Sequence, residues 1–121
     1  DFCKWVEDVL VDVINMTKEK MEKYYDEHVT DTMCRNELYK KYYMDTIIED
    51  TSAVAGLELI RRIVGMANVK DITTIADEAK RARAEKICIT AAIDFIKNRS
   101  DKKCGKCFLK TLKDAIAEVD A

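Results

Sequence analysis

The chain is poor in the residues that interrupt helices: its 121 residues include no proline and only three glycines. All-β folds rely on glycine and proline in their many turns, so this composition argues strongly against one. No apolar run reaches the roughly 18 residues that a membrane-spanning helix needs, so we expect no membrane span. The 48% apolar content excludes a disordered chain. We expect one domain over residues 1–121, because domains cluster near about 100–150 residues.

Residues suited to catalysis are also scarce. His28 is the single histidine, and its spacing to the cysteines gives no support to a Cys–His nucleophilic pair, so a solvated or capping role is expected. The glycines, Gly56, Gly65 and Gly105, are scattered and form no phosphate-binding loop. We therefore predict no catalytic residue, no metal and no cofactor, and a protein that is not an enzyme.

Apolar residues recur at three-to-four spacing along most of the chain, which is the pattern of amphipathic helices. The first predicted helix covers residues 2–27, and the second runs from caps at 30–32 to near Asp50. The third runs from caps at 50–52 to about Ala67, the fourth from Asp71 to Ile96, and a short fifth from Phe108 to Val119. Short connections imply antiparallel neighbours. The predicted fold class is all-α, a compact, disulfide-bonded bundle of about five helices.

The charge is divided unevenly between the two halves of the chain. Residues 1–60 hold 7 Lys or Arg against 14 Asp or Glu, whereas residues 61–121 hold 14 against 9. A basic segment dominates the second half: Lys97, Arg99, Lys102, Lys103, Lys106, Lys110 and Lys113. Anionic glycans or an acidic protein face are candidate partners, and a merely solvated patch is the alternative. Nucleic acid is not expected, because the whole chain is slightly acidic.

All five tyrosines fall within twenty residues of each other, on two neighbouring predicted helices. If Tyr42 faces the core, Tyr24, Tyr39 and Tyr43 point partly outward. Exposed tyrosines are favoured interface anchors, because they offer a large contact area for little lost entropy. These three are therefore candidate partner-binding residues, with half-buried rim positions as the alternative.

The cysteines favour a secreted, extracellular protein. Five are many for a small helical chain, the sequence opens at Asp1 without an apolar leader, and Asn15 and Asn98 begin glycosylation sequons. These features are typical of an oxidised protein with two bridges and one leftover thiol.

Bundle geometry narrows the pairing. In an up-down bundle Cys3, Cys104 and Cys107 share one end, which favours Cys88–Cys107 and Cys3–Cys104 and leaves Cys34 free or intermolecular. A bend in the first helix would instead bring Cys34 towards Cys104 or Cys107. The C-x-x-C of residues 104–107 has the spacing of a redox or zinc motif, but no predicted strand precedes it, and the sequence offers no second C-x-x-C or pair of histidines to complete a zinc site.

Three stretches carry a family resemblance: TSAVAGLELIRRIVG at 51–65, EKICITAAIDFI at 85–96 and KCGKCF at 103–108, with DFC at the start. The chain resembles the anopheline mosquito salivary protein family that includes anophensin and albicin. That resemblance implies a secreted, all-helical protein for blood feeding and evasion of host defence. It implies inhibition of the alternative complement pathway at its convertase, and also of contact-system activation through kallikrein. The expected partners are therefore host plasma proteins.

A helical carrier of small hydrophobic or amine ligands is the alternative function, as in odorant-binding or chemosensory proteins. The intervals between successive cysteines are 30, 53, 15 and 2 residues, which match the cysteine spacings of neither carrier family well.

Overall fold

The computed structural model describes residues 1–66 and 69–121, and its regular structure there is helical without strands. Its elements are α1 (Phe2–His28), α2 (Glu37–Val64), α3 (Lys70–Thr73), α4 (Glu78–Lys97), a 3₁₀ turn (Arg99–Asp101) and α5 (Gly105–Asp120). The prediction of an all-α fold with about five helices is confirmed. Among the described residues, no helix combines the length and the apolar character needed to cross a membrane.

α1 runs unbroken from Phe2 to His28, and the Asp1 carboxylate caps it by accepting a hydrogen bond from the Cys3 N–H at 3.1 Å. Its apolar stripe is only partly covered. Ile14 packs against the core, whereas Phe2 and Trp5 keep 74% and 59% of their surface exposed. The predicted apolar face of this helix therefore exists, but its first turns lie outside the core.

α2 is one continuous helix, so the predicted break near Asp50 is wrong. Asn36, and not the predicted caps at 30–32, begins this helix by accepting hydrogen bonds from the N–H groups of the next turn. The hydroxyls that resembled a cap serve the helix interior instead: Thr51 donates to the Ile47 carbonyl at 2.8 Å, and Ser52 donates across to α4. The predicted end at Ala67 lies outside the described residues; the helix ends at Val64.

Small residues let α2 and α4 pack closely. Ser52 is fully buried and donates its hydroxyl to the Phe95 carbonyl at 2.8 Å. A Cβ at Gly56 would lie only 2.7 Å from the Ala92 carbonyl oxygen, so that oxygen occupies the space that Gly56 leaves. Ala91 and Ala92 are completely buried on the facing side. The close contact between α2 and α4 therefore depends on small side chains at these positions.

The predicted helix beginning at Asp71 is divided in two. α3 covers a single turn, and the Thr73 and Thr74 hydroxyls bond back to carbonyls one turn earlier, at Val69 and Lys70. The true cap of α4 is Asp77, whose carboxylate accepts from the next N–H groups at 3.0 and 3.1 Å. Asp71 lies inside α3 and caps nothing in α4.

The core lies where α2, α4 and α5 meet. Its buried members are Ile48, Ala91, Phe95, Phe108 and Ala115. The Phe95 and Phe108 ring centroids are 5.3 Å apart. α4 and α5 run antiparallel, because Thr111 bonds Asp94 while Arg83 bonds Asp120.

The expected Cys88–Cys107 bridge is not formed; all five cysteines are free thiols. The antiparallel register of α4 and α5 explains why. Cys88 stands opposite residues near 116 of α5, which are about nine residues, or ~14 Å, from Cys107. A disulfide requires Cα atoms within roughly 7 Å. The sequence correctly indicated that these two helices are neighbours, but not their register.

The expected Cys3–Cys104 bridge is not formed either. The Gly105 N–H donates to the Asn15 side chain at 2.9 Å, and a Cβ at Gly105 would lie 2.6 Å from the Cα of Val11. The start of α5 therefore packs against the middle of α1. Cys104 thus lies about eight or more residues, or at least ~12 Å, along α1 from Cys3. The expectation that both cysteines share one end of the bundle is wrong.

Candidate binding cleft

The end of α1 and the beginning of α2 form a helical hairpin whose turn is held by specific polar contacts. The Tyr25 hydroxyl donates to the Cys34 carbonyl at 2.6 Å, and Asp31 accepts from the Met33 N–H at 2.8 Å. The Lys40 ammonium donates to the Asp26 carboxylate at 2.6 Å and links the two helices. These contacts position the side chains that face each other across the hairpin.

An apolar cleft of about 680 Å³ lies inside this hairpin. Its lining combines aromatic rings with flexible thioethers: Thr17, Lys20, Met21, Tyr24, Tyr25, Val29, Cys34, Tyr39, Tyr43 and Met44. Ligand pockets typically occupy about 300–1,000 Å³, so the size suits a drug-sized molecule or one or two protein side chains. Lys20 is the one charged residue in the described lining.

The three tyrosines singled out from the sequence converge on this cleft. Tyr24, Tyr39 and Tyr43 all line it while keeping 64%, 43% and 42% of their surface exposed. The Tyr39 and Tyr43 rings stack with centroids 6.3 Å apart, and the Tyr25 centroid lies 5.7 Å from that of Tyr43. Ring-on-ring contacts fix the side chains before any ligand arrives, which lowers the entropy cost of binding.

The assumption that Tyr42 faces the core is wrong. Tyr42 is 66% exposed and does not line the cleft, whereas Tyr25 is the buried tyrosine. Burial raises the pKa of Tyr25, and the nearby Cys34 acts in the same direction, so its phenol stays neutral and keeps donating to the Cys34 carbonyl. His28 stacks on Tyr24 with centroids 3.9 Å apart, and its Nδ1 lies 3.0 Å from the Tyr24 carbonyl oxygen.

The basic segment is largely engaged within the molecule. Lys102 is 8% exposed and donates to Asp94 at 2.6 Å, while Lys103 donates to Glu49 at 2.6 Å. Lys113 pairs with Glu7 at 2.8 Å, and Lys110 pairs with Asp114. Lys97, Arg99 and Lys106 are exposed. The segment is therefore not one solvated patch, because Lys102 is a structural side chain that a partner cannot reach.

Asp94 is the centre of the polar network beneath that segment. Its carboxylate accepts from Lys102, Asn98 and Thr111 at 2.6, 2.6 and 2.7 Å. Burial acts to raise the pKa of Asp94, but these three donors outweigh burial and lower the pKa to about 2. The carboxylate is therefore charged at every physiological pH, and it ties α4 and α5 to the turn that joins them.

The sequence did not indicate the apolar part of the cleft, formed by Met21, Val29, Cys34 and Met44. Part of the signal was present, because residues 17, 20–21 and 24–25 recur at the three-to-four spacing of a single face of α1. Nothing local distinguishes that face from one buried in a core. No group of three or more potential metal-ligating side chains occurs within residues 1–66 and 69–121.

No protein-family model matches the chain, and no solved structure matches it. It is similar to methylthioribose kinase 1 of Oryza sativa subsp. japonica, with 27% identity over 112 residues, covering 81% of this chain and 25% of that protein. The methylthioribose kinase of Bacillus pumilus is 29% identical over 90 residues, covering 74% of this chain and 23% of that protein. The chain thus spans about a quarter of these relatives. The similarity assigns neither an activity nor a substrate to it.

Proposed function

We propose that this protein is a secreted inhibitor that binds a host plasma-cascade protein through the tyrosine cleft. The proposed target is the convertase of the alternative complement pathway, with kallikrein of the contact system as the second target. One observation carries the binding mode: Tyr24, Tyr39 and Tyr43 converge on a preformed apolar cleft. The cascade itself is proposed on the resemblance of residues 51–65, 85–96 and 103–108 to the salivary family.

The cleft suits an apolar or aromatic side chain of a target protein. A target side chain inserted between α1 and α2 would contact the Tyr39 and Tyr43 rings and displace water from the thioethers of Met21 and Met44. Tyrosine is enriched among the few residues that carry most of the binding energy at protein interfaces. The proposed mechanism is occlusion, in which the inhibitor covers a surface of the target without changing any covalent bond.

An alternative-pathway haemolysis assay tests the target, and single substitutions test the cleft. We expect Tyr43→Ala and Tyr39→Ala to weaken inhibition by about tenfold to thirtyfold, the effect of removing a tyrosine on which binding depends strongly. Tyr42→Ala is the matched control, since Tyr42 is 66% exposed on the same helix and lies outside the cleft. It should change inhibition by less than about twofold.

Three results would contradict different parts of the proposal. If the purified chain inhibits neither haemolysis nor kallikrein activation, the proposed targets are wrong. If it inhibits, but Tyr42→Ala is as damaging as Tyr43→Ala, the inhibitor function stands and the cleft is not its binding site. Inhibitor-dependent fragments of convertase components on a reducing gel would refute the occlusion mechanism.

Carriage of a small hydrophobic or amine ligand is the second candidate, and the cleft volume of about 680 Å³ with its apolar lining favours it. A tyrosine-lined wall binds apolar chains by burial and cationic amines by cation–π attraction. Calorimetry with a fatty acid and with an aromatic amine tests this function. Saturable binding that Tyr43→Ala weakens and Tyr42→Ala preserves supports it, whereas heat indistinguishable from dilution rejects it.

A further inference from the structure

The two cysteines of the C-x-x-C segment lie in contact with each other. The sulfur atoms of Cys104 and Cys107 are 3.2 Å apart, although neither residue is bonded. Cys104 is the N-cap residue of α5, and its carbonyl accepts the Cys107 N–H at 2.9 Å. The backbone of the first turn of α5 therefore brings the two thiols together.

Contacts on both sides anchor this turn, which stays partly open to solvent. Gly105 packs against α1, where its N–H donates to the Asn15 side chain at 2.9 Å. Phe108, directly after the motif, is buried in the core and anchors the turn from the other side. Both cysteines stay partly exposed between these anchors.

We propose that Cys104 and Cys107 form a reversible dithiol–disulfide pair that exchanges with small-molecule disulfides such as glutathione disulfide. The Cys107 thiolate attacks one sulfur of glutathione disulfide, which breaks the S–S bond and releases one glutathione thiolate. The Cys104 sulfur, after losing its proton, attacks the mixed disulfide and releases the second. Two protein thiols are oxidised, one glutathione disulfide is reduced, and the two protons pass to the two glutathione thiolates.

The surroundings of Cys107 support its role as the attacking sulfur. Burial acts to raise the pKa of Cys107, but hydrogen bonds from the Cys104 thiol and from the backbone at Lys103 and Cys104 outweigh burial and lower the pKa below its ordinary value. Cys88 shows the opposite behaviour, because burial and then the charge of Glu85 raise its pKa. Thiolates, and not thiols, are the nucleophiles in exchange reactions.

The pairing is tested by equilibrating the full chain at several ratios of reduced to oxidised glutathione. The protein is then alkylated and digested with trypsin without reduction. Trypsin cuts after Lys103, Lys106 and Lys110, so the proposed bond joins peptide 104–106 to peptide 107–110. We expect this linked pair under oxidising ratios and its complete return to two alkylated peptides under reducing ones. A link to the peptide 1–4 or 87–97, which contain Cys3 and Cys88, would overturn the proposal, as would the absence of any link at every ratio.

Three serine variants test the order of attack. Cys104→Ser should accumulate a mixed disulfide with glutathione on Cys107, and Cys107→Ser should form its mixed disulfide on Cys104 several-fold more slowly. Cys88→Ser is the matched control and should leave the oxidation midpoint of the pair unchanged. A faster reaction of Cys107→Ser than of Cys104→Ser would overturn the assignment of Cys107 as the attacking sulfur. A shifted oxidation midpoint in Cys88→Ser would show that the pair does not act independently of Cys88.

Discussion

The sign of the change in the free energy of unfolding when Gly56 is replaced by alanine tests the close packing between α2 and α4. In a free helix the change is stabilising, because alanine is favoured over glycine by about 0.8–1.0 kcal/mol. In this structure the new Cβ would lie 2.7 Å from the Ala92 carbonyl oxygen and 2.7 Å from Cγ1 of Ile96. The Ile96 side chain can turn away, but the carbonyl oxygen belongs to the α4 backbone and moves only with the helix.

The expected result is therefore a net loss of stability. Overpacking a closely packed seam costs typically about 1–3 kcal/mol, which exceeds the gain in helix propensity in most of that range. Subtraction of the propensity gain leaves an expected net loss of up to about 2 kcal/mol in the free energy of unfolding, with a decrease of several degrees in Tm. Separation of the helices would also strain the buried hydrogen bond from Ser52 to the Phe95 carbonyl.

Urea unfolding followed by circular dichroism measures the effect, with Leu57→Ala as the control. Leu57 is adjacent in α2 but 58% exposed, so its truncation should change stability by less than about 0.5 kcal/mol. A Gly56→Ala protein more stable than the parent would refute the close approach of α2 and α4, because only the propensity gain would then be acting.

The polar network beneath α5 gives the remaining predictions. The folded-state pKa of Asp94 is lowered to about 2 from an ordinary 3.8, so its contribution to stability is complete above about pH 4 and is lost as the pH falls through about 2. Asp94→Asn should therefore flatten the dependence of the urea midpoint on pH in this range. An unchanged slope would contradict the lowered pKa. Lys102→Glu should destabilise the fold because it places a second carboxylate beside Asp94, whereas Lys106→Glu, at an exposed position, should leave the urea midpoint unchanged. If the basic segment steers a partner, Lys106→Glu should also slow association at low salt, and equal rates across a salt titration would show that it does not.

The helical character of the chain was decided by local properties that the sequence displays directly. The three-to-four recurrence of apolar residues and the absence of proline act within single turns, so α1 could be placed within a residue of its observed bounds. The helix boundaries were harder to predict from the sequence. Thr51 and Ser52 have the chemistry of caps, and only the neighbouring α4 shows that the Ser52 hydroxyl bonds the Phe95 carbonyl inside a continuous α2.

The site depended on tertiary structure in the same way. The sequence indicated tyrosines as anchor candidates from their type and density, since tyrosine has the same chemistry in any fold, but it selected Tyr24, Tyr39 and Tyr43 on the condition that Tyr42 faces the core. It supposed that Tyr42 faces the core and that the basic segment is exposed to a partner or to solvent, and both interpretations depended on which side of a helix meets a neighbour. Helix register decides that question, and it arises from contacts between residues far apart in the chain. The same dependence explains why the sequence paired Cys104 with a distant cysteine, whereas the folded turn brings its sulfur to Cys107.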